Sequence, residues 1–176
     1  MITTDLAKQK RYEQFADYFN IRKLLFRHTN DRVDDAIVSA KLNPSMILHD
    51  LGIVNMDFGR QTGSSYFLRE FIKDVSQFDP LIKEPQTLVL FNSIMMAHYT
   101  LDDHIKDLPP WIHPLCAGYN DPLVFKERLL EFTMGDKTPS ILDYIIVDTS
   151  SMLTDESRDY VFKIATRLKP KMIILL

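Results

Sequence analysis

Residues 59–65, Gly-Arg-Gln-Thr-Gly-Ser-Ser, form a glycine-bounded turn between an apolar stretch, 51–58, and a helical one, 64–78. Strand, glycine turn and helix together make the arrangement a phosphate needs. Glycines let the backbone close around an anion, N–H groups at the helix start point inward, and the helix dipole favours negative charge. Against the pattern G-x-x-x-x-G-K-[ST], Ser65 stands where a hydroxyl would hold Mg²⁺. Ser64 takes the lysine position, so the point charge on the β- and γ-phosphates is missing, and the first glycine falls at Phe58. The competing reading is a plain strand-to-helix turn that keeps its glycines for packing.

Other reactive side chains point less far. His28, His49, His98, His104 and His113 show no metal-ligand spacing, and residues 102–107 (DDHIKD) read as a solvated helix face. Cys116 reads as a buried thiol. Lys8, Lys10, Arg11, Arg22, Lys23 and Arg27 lie close in sequence and form a candidate nucleic-acid or partner patch. Glu13 and Asp17 interrupt it, which favours an ordinary charged face.

The elements around these residues follow from periodicity. Apolar positions at helical spacing predict helices over 4–19 and 31–41, with a short apolar segment, 21–28, between them and a break at 42–45. From residue 46 strands and helices alternate. Strands are expected at 51–58, 87–94, 141–148 and the closing KMIILL, with helices at 64–78, near 95–108, at 121–133 and from about Asp155. Residues 111–119 are ambiguous, a short strand broken by Pro114, and the Met95–Met96 pair reads as core. The organisation is an N-terminal helical segment, 1–45, and one α/β unit, 46–176.

The chain has 176 residues and a net charge of -3, with 45% hydrophobic and 26% charged residues. That length suits one domain with a real core. No apolar run reaches the roughly 20 residues that span a bilayer, and the start lacks a leader's apolar stretch. A single cysteine excludes an internal disulfide framework. A cytoplasmic location is expected, in the host cell if the protein is viral. Mild acidity argues against nucleic-acid binding over the whole surface.

The stretch GRQTGSSYFLREF resembles the phosphate-binding loop of large terminase subunits, the viral DNA-packaging motors, and of related helicase-like ATPases. Arg60, Gln61, Gly63 and Ser65 match that loop, which can lack its first glycine; Ser64 does not match. LDYIIVDTSSML, 142–153, resembles the family's strand bearing a Mg²⁺-binding carboxylate, here Asp148, normally followed by a catalytic glutamate, here Thr149. The bland alternative for Asp148 is a solvated carboxylate at a strand end, or one capping Ser150 and Ser151.

The resemblance covers about residues 46–176. It implies a P-loop NTPase-like parallel sheet of four or five strands flanked by helices. If nucleotide is retained, Gly59, Arg60, Gln61, Thr62, Gly63, Ser64 and Ser65 would bind it, Asp148 and Ser65 would hold Mg²⁺, and ATP would be the ligand. Loss of the lysine and the glutamate removes charge stabilisation and water positioning, each on the order of 10²-fold in rate. The expected function is a catalytically impaired ATPase-like protein acting on a protein or nucleic-acid partner, or on copies of itself, in DNA packaging or DNA metabolism. The alternatives are a weak ATPase that completes its site by oligomerisation, and a DNA-binding module using the basic N-terminal region.

Overall fold

The computed structural model describes residues 2–40, 48, 50–58, 62–101, 107–135, 138–139 and 141–176. It has five parallel strands: β1 (Ile53–Asn55), β2 (Thr87–Phe91), β3 (Ile112–Cys116), β4 (Tyr144–Val147) and β5 (Met172–Leu175). Their order in the sheet is β1-β5-β4-β2-β3. The helices are α1 (Ile2–Ala40), α2 (Ser64–Lys73), α3 (Ile94–Leu101), α4 (Pro122–Met134) and α5 (Asp155–Leu168). The architecture is α/β and consistent with a P-loop-like fold. No helix among the described residues is long and apolar enough to cross a membrane.

Every residue of β2, β4 and β5 is buried, as near-continuous Val, Ile and Leu runs require when helices cover both faces of a sheet. Side chains alternate between two cores. Val89, Phe91, Tyr144, Ile146 and Ile174 face α1, α2 and α3, whereas Leu88, Leu90, Ile145, Val147 and Ile173 face α4 and α5. Pro114 lies within β3, paired opposite Val89. The expected break does not occur, because β3 is an edge strand and a proline there removes no ladder hydrogen bond on its outer side.

The N-terminal segment is one 39-residue helix, not two helices and a connector. Nothing between residues 2 and 40 breaks it, since the stretch holds neither proline nor glycine. Among its described side chains, Arg22, Phe26, Asn30 and Val33 are the buried ones, one stripe at helical spacing. Phe19 and Phe26 join Phe67, Phe71, Phe78 and Tyr144 in an aromatic cluster with ring centroids 5.1–6.4 Å apart. From Leu6 to Asp17 the described side chains of α1 are all exposed. Met95 is also not core: it is 78% exposed on α3, where Ala97, Thr100 and Leu101 turn inward instead.

Two helix starts carry their chemistry as read. Asp121 accepts from the Leu123 and Val124 N–H groups with Pro122 in the first turn of α4, and Thr154 accepts from the Ser157 N–H at α5. α2 is different. It opens on Gly63 in the left-handed region (φ 77°), with no side-chain cap and no acid in its first turn.

Candidate functional site

The loop after β1 and Asp148 after β4 both leave the carboxyl ends of their strands. β5 lies between those strands, so they stand roughly 9.5 Å apart at the usual strand spacing. α3 follows β2 on one face of the sheet and α5 follows β4 on the other, so the winding direction reverses between β2 and β4, the position at which open sheets bind ligands. Asp148 follows β4 directly.

In the loop, Gly59, Arg60 and Gln61 lie outside the described residues. Thr62 is buried, and Ser64 and Ser65 are half-buried. What holds the described part together is Arg22, a fully buried arginine delivered by α1. Its Nε donates to the Met56 carbonyl at 3.3 Å, and its Nη2 to the same carbonyl at 3.2 Å. Nη2 also donates to Thr62 Oγ1 at 2.7 Å and to Ser64 Oγ at 2.9 Å, and Nη1 donates to the Thr62 carbonyl. The Phe58 ring centroid is 5.1 Å from the guanidinium carbon. Burial lowers the Arg22 pKa, against the fields of Asp57 and Tyr18 that raise it.

These contacts set the polarity of the loop. A trans peptide that turns its carbonyl toward a guanidinium turns the next N–H away. The Gly63 N–H therefore points away from Arg22, and so does the Asp57 N–H, which donates to Asn55 Oδ1. The described part of the loop presents oxygens to a cation where a phosphate cradle presents N–H groups to an anion. Among the described residues here, only the uncapped start of α2 has anion-binding geometry.

Asp148 is 3% exposed and accepts from Thr100 Oγ1 of α3 at 3.0 Å. Burial pushes its carboxyl up to about 6, against the Thr100 hydrogen bond and the Thr149 N–H. Thr149 itself has φ 57° and ψ 51°, a left-handed conformation rare for a β-branched residue. No group of three His, Cys, Asp or Glu side chains among the described residues could hold a metal ion. The described residues do not fit Mg²⁺-ATP hydrolysis: Arg22, the cation they place beside Ser64, is held by neutral oxygens, and the Asp148 carboxylate is desolvated and bonded to Thr100. No hydrolytic step follows from this geometry.

Within the candidate basic patch, Arg22 is buried. Arg22 turns inward because it falls on the α1 stripe with Phe19 and Phe26, three residues before it and four after. A cation on a buried stripe was the signal in the sequence for its role. Lys23 Nζ donates to Gln77 Oε1 and lies over the rings of Phe19 and Phe78. Arg27 donates to the Gln77 carbonyl. Lys10 and Arg11 are exposed, and the side chain of Lys8 lies outside the description.

A second polar cluster, not anticipated, sits at the opposite, amino end of the strands. Asp79, wholly buried, accepts from Tyr144 Oη at 2.6 Å, Asn30 Nδ2 at 3.3 Å and Lys171 Nζ at 3.4 Å. Lys171 also pairs with Asp34 at 2.8 Å, tying α1 to the sheet. Comparison with known proteins adds no relative: no family model, curated protein or solved structure matches this chain.

Proposed function

We propose that this chain is a catalytically impaired P-loop ATPase-like protein that acts by binding a partner, not by turning over nucleotide. The observation that carries the reading is Arg22, whose guanidinium fastens the loop through the Met56 and Thr62 carbonyls. A loop held in that polarity offers little to a triphosphate. The likeness of residues 57–71 and 142–153 to terminase motifs supports a viral setting, with a protein or nucleic-acid partner in DNA packaging or DNA metabolism.

Thermal melting with Mg-ATP, Mg-ADP and Mg-GTP tests it. A site at 100 times its Kd would stabilise the fold by about 2.7 kcal/mol, a rise of roughly 5–10 °C for a chain of this size. The expected result is no such rise and no phosphate release. A second reading has one observation in its favour: Arg22 brings a cation to 2.9 Å from Ser64 Oγ, beside the missing lysine. If Arg22 serves a bound phosphate, nucleotide raises the melting point and Arg22→Met removes the rise.

A further inference from the structure

α4 and α5 lie side by side over one face of the sheet and leave a groove of about 240 Å³ between them. Its floor is apolar: Leu129 and Ile164 are buried, and Leu130 is 39% exposed. Its rim is basic, with Lys126 on α4 and Lys163 and Arg167 on α5, and none of its lining residues is acidic. Lys126 Nζ and Lys163 Nζ both stand over the ring of Tyr160, 5.7 and 4.9 Å from its centroid. The apolar surface runs on beyond the groove. Leu123 and Met134, 70% and 75% exposed, continue Leu130 along one side of α4 at positions i, i+7 and i+11. That stripe is about 16 Å long at 1.5 Å per residue.

We propose that this groove docks an acidic amphipathic helix of a protein partner. The inference rests on the reading that the chain works by binding, and it names the surface and the chemistry of what binds. The volume is below the roughly 300 Å³ at which small-molecule sites begin, and suits the anchoring side chains of a helix laid along α4. A stripe of three turns matches such a helix in length. Three cations around an apolar floor select carboxylates flanking the anchors, which favours the correct partner and its approach. A nucleic acid fits less well. Glu127, Glu131, Glu156 and Asp159 are exposed on the same two helices, so no continuous basic track exists for a phosphate backbone, and a partner's carboxylates are confined to the rim of Lys126, Lys163 and Arg167.

The test is selection of helical peptides from a random display library against the intact chain, followed by binding of the enriched peptides by fluorescence anisotropy. Expected are peptides with apolar residues three or four apart flanked by Asp and Glu. Their affinity should fall at least tenfold with Lys126→Glu/Lys163→Glu, and also with Leu130→Asp. Arg32→Glu/Lys83→Glu, at exposed positions away from the groove and the N-terminal basic residues, changes net charge equally and serves as the control; it should leave affinity within twofold. The surface assignment is overturned if no peptide enriches, if both charge reversals weaken binding alike, or if the enriched peptides ignore the groove variants. It is overturned too if the groove variants abolish self-association, duplex DNA binding or binding to anionic vesicles while sparing the peptides. Nucleotide melting and phosphate release are read on the same variants. Turnover of nucleotide would remove the wider reading and leave the peptide result standing, whereas failure of the peptides removes the groove alone.

Discussion

Arg22 Nη2 lies 2.9 Å from Ser64 Oγ, so a cation reaches the residue at the lysine position of the loop from a helix 42 residues earlier in the chain. Its other hydrogen bonds go to the Met56 carbonyl and to Thr62, which makes Arg22 the pin between α1 and the loop. Arg22→Met leaves those buried acceptors without a donor and should cost about 3 kcal/mol or more in urea denaturation. Ser64→Ala removes one acceptor and should cost about 1 kcal/mol. Ser64→Lys sets two cations together and should destabilise. Combined with Arg22→Met it should lose less than the sum, with a coupling on the order of 1–2 kcal/mol. If Arg22→Met were neutral, the pin would not exist.

Asp148 gives a pH dependence of unusual sign. Its folded pKa, about 6, is above the ordinary 3.8 because burial penalises the carboxylate. The stability it contributes is therefore fully present below about pH 4 and is lost as pH rises to about 6. Asp148→Asn keeps the shape without the charge, and should stabilise the fold at pH 8 by up to about 3 kcal/mol while changing little at pH 4. Melting at the two pH values checks it. Equal shifts at both would mean that the carboxylate is solvated or already neutralised by a bound cation.

The legible part of the fold was the part set by local pattern. The runs 87–91, 144–147 and 172–175 are apolar on both faces, and only a covered parallel sheet accommodates them. The starts of α4 and α5 were legible for the same local reason, their caps. Arg22 was misplaced in a surface patch because its neighbours Lys23 and Arg27 are also basic. Its place on the stripe of Phe19 and Phe26 is the local signal, and its partners Met56, Thr62 and Ser64, 34 to 42 residues away, fix where it points. α1 reads as two helices in the sequence because basic residues flank the apolar segment 21–28 between them, yet Asn30 beyond it is buried against Asp79 and continues the stripe of Arg22 and Phe26. Met95 reads as core by residue type alone, whereas which side of α3 faces the sheet is set by tertiary packing.

Asp79 predicts the opposite pH response. Burial pushes its pKa up, but hydrogen bonds from Tyr144 and the Leu81 N–H and the charge of Lys171 outweigh it and leave the carboxyl below its ordinary value. Its contribution is present above about pH 4 and is lost as pH falls through the lower folded value. Asp79→Asn should cost roughly 2–4 kcal/mol at pH 7, and the difference from the parent should shrink below pH 4. Tyr144→Phe should cost about 1–3 kcal/mol by the same denaturation measurement, because it leaves one Asp79 oxygen short of its 2.6 Å donor. A difference between Asp79→Asn and parent that stayed constant from pH 7 to pH 3 would count against the ionised cluster.

Thr149 occupies the position where the resemblance expects a catalytic glutamate, and it holds a left-handed backbone, φ 57° and ψ 51°. For a β-branched residue that conformation costs on the order of 1–2 kcal/mol, and glycine adopts it freely. Thr149→Gly should therefore raise stability by about 1 kcal/mol, whereas Thr149→Ala, still carrying a Cβ, should gain less. Thr149→Glu supplies the residue type that the resemblance expects without changing what surrounds it. Arg22 remains bonded to the loop carbonyls, and Asp148 remains buried against Thr100. Positioning and electrostatics supply nearly all the rate of phosphoryl transfer, so one added carboxylate should yield no ATP turnover above background. Phosphate release that rose tenfold in Thr149→Glu would mean that the loop and Asp148 can still assemble around a triphosphate, and that the glutamate was the only missing part.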